Sequence, residues 1–198
     1  MANYYNDNAQ KLFDKYQGVN PDIIHASWLK WLPSKPALAL DVGGGSGRDA
    51  KWLAQKGWEV VVVEPASEFA KLGRNQTDGF SVTWVDDSLP ALVKLKEYRT
   101  RFSLILISGV LMHLSQDERI DSLQTLENLM AEKSLLVITL RHGPDSEERG
   151  FYHVEPDEIV EFAGRHGLQT EIISRVTDKL GRKEVTWQTV IVTKRVEG

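Results

Sequence analysis

The strongest chemical signal in the sequence is a glycine-dense segment that reads Asp41-Val42-Gly43-Gly44-Gly45-Ser46-Gly47-Arg48. It follows the strand-like run 37–40 and precedes a helix-like run. Glycine lets the backbone turn tightly and lets a ligand approach the amides without a Cβ in the way, while the helix offers free N–H groups. The segment predicts a site for an anionic or carboxylate-bearing group, with Asp41 as a negative partner for a nearby cation.

A second signal is the acid that ends the next strand-like run, Glu64, which is followed by Pro65. A carboxylate at this point can accept both hydroxyls of a ribose. Glu64 alone does not separate S-adenosylmethionine (SAM) from a nicotinamide dinucleotide. The glycine spacing does, because a dinucleotide fingerprint places its third glycine three residues after the second, whereas Gly43, Gly45 and Gly47 are spaced by two.

A third signal follows the third strand-like run and reads Asp86-Asp87-Ser88-Leu89-Pro90. One of these acids is expected to accept a hydrogen bond from an adenine amine, with Leu89 against the ring edge. The sequence does not decide between Asp86 and Asp87. The alternative is that both acids simply open the next helix, where negative side chains are favoured.

Seven strand-like runs alternate with helix-like segments and must position these groups. The first five are rich in Val, Leu and Ile, the pattern of a parallel sheet covered on both faces. The runs lie at about Ala37 to Val42, Trp58 to Val63, Phe80 to Val85, Phe102 to Ser108, Ser134 to Leu140, Gln169 to Val176 and Glu184 to Thr193. The connection between the last two is too short for a crossover helix, so these strands are expected to pair as an antiparallel hairpin.

Helix boundaries can also be read from the sequence. Gly57 is expected to stop the helix that begins at Arg48, and Ser115 to Glu118 forms a capping box. Near the amino terminus, Asp7 is expected to cap one helix, and Asn20-Pro21 to open a second that ends near Pro33.

We expect a single domain over residues 1–198, with N-terminal helices in residues 1–34 and the core sheet in residues 37–194. Tyr4, Tyr5 and Tyr16 suit a partial lid, because aromatic faces can stack on adenine and contact a sulfonium. For Tyr16 the favoured alternative is an ordinary place on the core face of its helix.

In their order and spacing, segment 41–47, Glu64 and segment 86–90 resemble the SAM-binding motifs of class I methyltransferases. Segment 104–114 resembles the fourth-strand motif of the small-molecule branch, and Thr139 to Pro144 with Tyr4-Tyr5 resembles a bacterial subgroup. The resemblance implies a Rossmann-like, doubly wound α/β fold with strand order 3-2-1-4-5-7-6 and an antiparallel seventh strand. An Asn-Pro-Pro-Tyr tetrad, typical of enzymes that methylate amino groups of bases, does not follow the fourth strand.

The motifs and the resemblance together assign residues to the cofactor and to the acceptor. The cofactor, SAM, which leaves as S-adenosylhomocysteine, is expected to contact Tyr5, Asp41, Gly43, Gly44, Gly45, Gly47, Arg48, Glu64, Pro65, Asp86, Asp87, Ser88, Leu89 and Ser108. His113, Arg141 and His142 are the catalytic candidates, with His113 either a general base or packed at a helix entrance.

The polar loop after the fifth strand also carries Arg149, Tyr152 and His153. Its arginines and histidines favour an anionic acceptor such as a carboxylate-bearing metabolite, a hypothesis that assumes the loop folds over the site. The alternative is a solvated connection with scattered charge.

Composition excludes several function classes. A net charge of -4 argues against a broad grip on nucleic acid, and the absence of cysteine excludes disulfides and thiolate zinc sites. No metal site is expected, since the five histidines lack a familiar ligand spacing. Nor does any apolar stretch reach membrane-spanning length, so a cytoplasmic protein is expected. The competing functions are an NAD(P)-dependent oxidoreductase and a non-catalytic SAM-binding module; the oligomeric state is not decided.

Overall fold

Runs of buried valine, leucine and isoleucine build one seven-stranded sheet in the computed structural model, which describes residues 2–144 and 149–194. The strands are β1 Leu38–Val42, β2 Glu59–Val63, β3 Val82–Val85, β4 Phe102–Ser108, β5 Met130–His142, β6 Gln169–Thr177 and β7 Thr186–Thr193. Their order across the sheet is β3-β2-β1-β4-β5-β7-β6. This confirms the predicted Rossmann-like α/β fold.

The strand directions follow from the lengths of the connections. Strands β1 to β5 pair in parallel, each joined to the next by a segment long enough to cross over the sheet. β7 runs antiparallel to both β5 and β6, as the short connection between the last two strands predicts. β5 extends beyond the predicted end at Leu140, because Arg141 and His142 pair with Trp187 and Thr186 of β7.

Helices cover both faces of the sheet. They are α1 Ala2–Asp7, α2 Ala9–Gln17, α3 Pro21–Ile24, α4 Arg48–Gln55, α5 Ser67–Gln76, α6 Gln116–Leu129 and α7 Pro156–Arg165. Successive strand residues point to opposite faces, so Val61 and Val63 join one buried cluster while Val60 and Val62 join another. The predicted capping box at the start of α6 is present. No helix in the described ranges combines the length and apolar character needed to cross a bilayer.

The first helix boundary differs from the prediction. Asp7 does not cap a helix: it is the last residue of α1, and Asn8 precedes α2 without a side-chain cap. The chain is helical from Ala2 because Tyr5 stacks on Phe69 of α5, with ring centroids 6.0 Å apart. The contact between Tyr5 and Phe69, which joins distant parts of the chain, therefore outweighs the local capping signal.

The second N-terminal helix is shorter than predicted. The Asn20 side chain caps α3 by accepting a hydrogen bond from the backbone N–H of Asp22, but the helix ends at Ile24 instead of near Pro33. The next residue, His25, is fully buried between Trp28 and Trp52. Burying this ring turns the chain out of the helical path.

Gly73 provides a test of how tightly α5 packs on the sheet. A Cβ added there would lie 2.2 Å from Trp84 and 2.8 Å from the carbonyl oxygen of Gly45. We expect Gly73→Ala to lower the free energy of unfolding by about 1–3 kcal/mol in urea denaturation, as overpacking does. The control is Gly164→Ala in α7, where a Cβ meets no atom within 4 Å; it should stabilise the protein by about 0.4–1 kcal/mol. Equal effects of the two changes would contradict this packing.

Candidate functional site

The carboxyl ends of the parallel strands open into a cavity of about 420 Å³. Nine of the predicted cofactor residues line it: Tyr5, Asp41, Gly43, Gly44, Gly45, Arg48, Glu64, Pro65 and Ser108. Two of the predicted catalytic residues, His113 and Arg141, also line it. The fold thus brings together groups from β1, β2, β4, β5 and α1.

The turn after β1 needs glycine for two physical reasons. Gly43 and Gly45 have φ of 69° and 50°, a region that side chains with a Cβ rarely adopt. A Cβ on Gly44 would lie 2.3 Å from Val62, and one on Gly45 would lie 2.8 Å from Phe69. Gly43 and Gly44 donate their amides to the carbonyl oxygen of Val63, so the turn that borders the cavity is held by its own hydrogen bonds. Gly47 does not line the cavity; it lies where α4 begins.

Glu64 ties this turn to the end of β2. One of its carboxylate oxygens accepts a hydrogen bond from the Gly45 amide at 2.9 Å, and the other accepts one from Ala66 at 2.8 Å. Burial raises the pKa of the Glu64 carboxyl, and these two hydrogen bonds partly offset the increase. The carboxylate is thus fixed in place at the wall of the cavity.

Two buried acids beside the turn have opposite electrostatic surroundings. Burial alone would raise the pKa of Asp49, but Arg48, with Nε 2.8 Å away, and His25, with Nε2 3.1 Å away, hold that pKa well below its usual range. Asp41 is less well compensated: Arg48 and a hydrogen bond from the backbone of Ala50 lower its pKa, and its Oδ2 makes no hydrogen bond among the described residues. Burial, and then the charge of Asp49, raise the pKa of Asp41 well above its usual value. A cation in the cavity would favour the charged form of the Asp41 carboxyl.

Aromatic rings and one arginine form the opposite wall. The Tyr5 hydroxyl lies 3.0 Å from Nε2 of His113, and the His113 ring packs edge-on against Phe151 at 4.9 Å. The Arg149 guanidinium lies 4.8 Å from the Tyr4 ring and 5.8 Å from the Tyr5 ring, and it donates a hydrogen bond to the Tyr4 hydroxyl at 3.2 Å. The sequence did not reveal this cluster, because its two tyrosines lie more than a hundred residues before His113, Arg149 and Phe151.

The protonation of the Tyr5–His113 pair follows from its surroundings. Burial, and then the positive charge of Arg149, lower the pKa of His113 to about 4. Burial raises the pKa of Tyr5 above its ordinary value. At neutral pH the phenol therefore keeps its proton and donates it to Nε2 of a neutral imidazole.

The hairpin between β6 and β7 closes one side of the cavity. Asp178 accepts hydrogen bonds from Nε1 of Trp187 at 2.8 Å and from the Arg182 guanidinium at 2.6 Å, which fixes the hairpin against its own strand. The Trp187 ring packs so closely on Gly109 that a Cβ there would lie 3.0 Å away. The sequence predicted the hairpin but not its place at the cavity.

The structure does not bring segment 86–90 to the cavity. Asp87 accepts hydrogen bonds from the backbone amides of Ser88 and Lys94, so it holds together the turn that follows β3. The Asp86 side chain is 78% exposed and lies beside Lys94, while Leu89 is buried in the core cluster that contains β1 and β4. Neither expectation matches fully, because the acids lie outside the cavity and the next helical turn begins only at Val93.

His142 also lies outside the cavity. It is buried at the end of β5, beside His153, with ring centroids 6.1 Å apart. Burial, and then the charge of Arg175, lower the pKa of its imidazole. Its predicted catalytic role therefore has no geometric support at the cavity.

Sequence comparison finds a family model described as a methyltransferase domain that matches residues 39–133. A curated relative, an uncharacterized methyltransferase of Alkaliphilus oremlandii, is 24% identical over 128 residues, which are 65% of this chain and 55% of that protein. The chain thus spans about half the length of the curated relative that it matches.

Solved structures share the fold at low sequence identity. A Burkholderia thailandensis 1,6-didemethyltoxoflavin-N1-methyltransferase superposes with a TM-score of 0.69 at 17% identity, covering 98% of this chain and 87% of that one. A Haemonchus contortus phosphoethanolamine N-methyltransferase 2 superposes with a TM-score of 0.69 at 15% identity, and the match covers 89% of this chain and 53% of that one. A SAM-dependent methyltransferase of Archaeoglobus fulgidus superposes with a TM-score of 0.68 at 17% identity, and the match covers 93% of this chain and 99% of that one.

The sequence and structural comparisons agree on the same part of the molecule. The family model begins within β1 and therefore includes both the glycine turn and Glu64. The strand order with its reversed seventh strand is the arrangement that the motifs imply. Residues 39–133 are thus similar to a methyltransferase domain, and the fold around them is that of solved methyltransferases.

Proposed function

We propose that this protein transfers the methyl group of SAM to an anionic small-molecule acceptor and releases S-adenosylhomocysteine. The observation that carries the proposal is the buried carboxylate of Asp41, which borders the cavity with an unpartnered oxygen. A buried charge without a partner is unfavourable, so this position favours a ligand that brings a cation. The ammonium group of SAM is such a cation.

The remaining cofactor contacts follow from the same end of the cavity. The guanidinium of Arg48, which lines the cavity beside the glycine turn, suits the carboxylate of the methionine part. Glu64 suits the ribose hydroxyls, since its fixed carboxylate lines the cavity beyond the turn. Tyr5 closes the cavity from α1, so we propose that the N-terminal helices act as a partial lid within a single domain.

For the transfer itself, the protein mainly has to position the two reactants and to keep water out of the site. The acceptor's lone pair attacks the methyl carbon while the carbon–sulfur bond breaks and its electron pair returns to sulfur. Holding the two reacting atoms in line and excluding water supplies much of the rate. With its low pKa and its bond to Tyr5, His113 is a weak base at neutral pH, so we assign it to orienting Tyr5.

The acceptor's charge is inferred from the far wall of the cavity. The guanidinium groups of Arg141 and Arg149 line it, and the hairpin adds Lys179 and Arg182. Planar guanidinium groups bind carboxylate and phosphate through paired hydrogen bonds. The Haemonchus contortus enzyme was solved with phosphomonomethylethanolamine, an anionic small molecule, in its complex. We infer a small metabolite as acceptor, with no nucleic acid as partner and a cytoplasmic location.

Binding of SAM by the folded protein tests the cofactor proposal. We expect Asp41→Asn to weaken binding of SAM and S-adenosylhomocysteine by about tenfold or more, because both carry the ammonium group that the charge attracts. Asp121→Asn, on the exposed side of α6, is the matched control and should bind like the wild type. Isothermal titration calorimetry measures both, with NAD as a ligand expected to give no heat. Undiminished affinity in a folded Asp41→Asn protein would contradict the assignment.

The pH dependence of stability tests the buried state of His113. Because its folded pKa of about 4 lies below the unfolded value near 6.5, the unfolded chain binds more protons between these limits. Stability contributed by the neutral imidazole should be full above about pH 6.5 and should fall as the pH drops toward 4. We expect the melting temperature of the wild type to fall more between pH 7.5 and 5 than that of His113→Gln, which keeps an acceptor for Tyr5. Parallel losses in the two proteins would argue against this protonation state.

Substitution of Arg149 tests the anionic acceptor. Once an acceptor is found by assaying labelled-methyl transfer to a panel of carboxylate and phosphate metabolites, Arg149→Met should raise its KM about tenfold or more. The KM of Arg149→Lys should lie between those of the wild type and Arg149→Met, since lysine keeps the charge but lacks the planar guanidinium group. SAM affinity is measured in each variant, so that an effect on the cofactor is separated from an effect on KM, and Arg165→Met on exposed α7 serves as the control. A best acceptor without negative charge, or an unaltered KM, would overturn this part of the proposal.

A further inference from the structure

Three potential metal ligands meet beside the cavity but outside its wall. His142 ends β5, and His153 and Glu155 lie just before α7. One ligand atom from each of the three side chains lies within 4.8 Å of the others. Two imidazoles and one carboxylate form a donor set that suits zinc, which binds nitrogen and oxygen ligands at about 2.0–2.2 Å.

His142 gives this cluster its second, independent feature. The side chain is 5% exposed, and neither ring nitrogen makes a hydrogen bond among the described residues. Buried polar groups almost always have a hydrogen-bond partner, so the two ring nitrogens of His142 indicate that a ligand or a hydrogen-bond partner is missing. The amide of Gln188 lies close enough to affect the pKa of the ring without making a well-formed hydrogen bond.

The other two ligands can adjust to a metal ion. The side chains of His153 and Glu155 are 67% and 47% exposed, and Nε2 of His153 already lies 2.5 Å from Oε1 of Glu155. Arg175 approaches the other oxygen of Glu155 at 3.7 Å, so Oε1 remains available to a metal. Moving these exposed groups by about 1 Å brings all three donors to the separations that a tetrahedral zinc site requires.

We propose that His142, His153 and Glu155 bind one Zn²⁺ ion, with a water molecule as the fourth ligand. Binding gives the buried imidazole of His142 a partner and replaces the direct contact between His153 and Glu155. The histidines are eleven residues apart in the sequence, a spacing that common zinc motifs do not contain, so sequence inspection does not detect the site.

The ion would fasten the acceptor wall of the cavity. It links the end of β5 to the segment that follows Arg149 and Phe151, both of which contact the His113 and Tyr5 region. Zinc here is structural, since the three ligands lie outside the cavity wall.

Zinc titration of the full chain, stripped with a chelator and freed of any polyhistidine tag, tests the proposal. Calorimetry should give one equivalent of Zn²⁺ for the wild type, with affinity weakened about tenfold or more in His153→Gln and in Glu155→Gln. Both changes are at exposed side chains, so the fold should persist. The control is His166→Gln, whose ring pairs with Glu127 and stacks on Phe162 away from the cluster; it should bind like the wild type.

Thermal unfolding gives a second readout. Zinc should raise the melting temperature of the wild type and of His166→Gln, and should leave that of His153→Gln unchanged. Absence of zinc binding by the wild type, or equal binding by His153→Gln, would overturn the proposal. SAM titration without zinc is measured on the same samples, so a failure of the metal site is distinguishable from a failure of the cofactor site.

Discussion

The Glu64 carboxylate accepts hydrogen bonds from the amides of Gly45 and Ala66 and so joins the end of β2 to the turn that follows β1. Neighbouring parallel strands bring these groups to the same edge, and the absence of a Cβ at Gly45 lets the backbone approach Phe69. The same bonds satisfy two amides in a buried place and fix a carboxylate that faces the cavity. Cofactor chemistry and backbone architecture therefore depend on one side chain.

Charge is distributed unevenly around this turn. Asp49 is neutralised by Arg48 and His25, and His25 in turn accepts a hydrogen bond from Nε1 of Trp28 at 3.1 Å. This network secures the N-terminal segment to α4 without using Asp41. Asp49 is thus paired on two sides, whereas Oδ2 of Asp41, at the cavity wall, makes no hydrogen bond among the described residues. The positively charged methyl donor of the proposed function suits this arrangement.

The sheet could be predicted from the sequence because its order follows from strand spacing and from one short connection. The glycine turn and Glu64 were equally readable, since their chemistry is local. The signal at Asp7 misled because a short-range capping rule does not register a distant partner such as Phe69. Asp86 and Asp87, expected at the adenine, lie outside the cavity, where Asp87 binds backbone amides of the turn after β3. The Tyr5–His113 pair joins residues separated by most of the chain and becomes visible only when α1 is placed.

β7 lies between β5 and β6, although it follows both in the chain. β6 is joined to the rest of the sheet only through β7, so the sheet is complete only when the last strand of the chain is in place. During synthesis on the ribosome, residues that would hold the donor emerge well before Trp187 and the hairpin that confine the acceptor. Nascent chains thus acquire the means to recognise the donor before they acquire a closed reaction chamber.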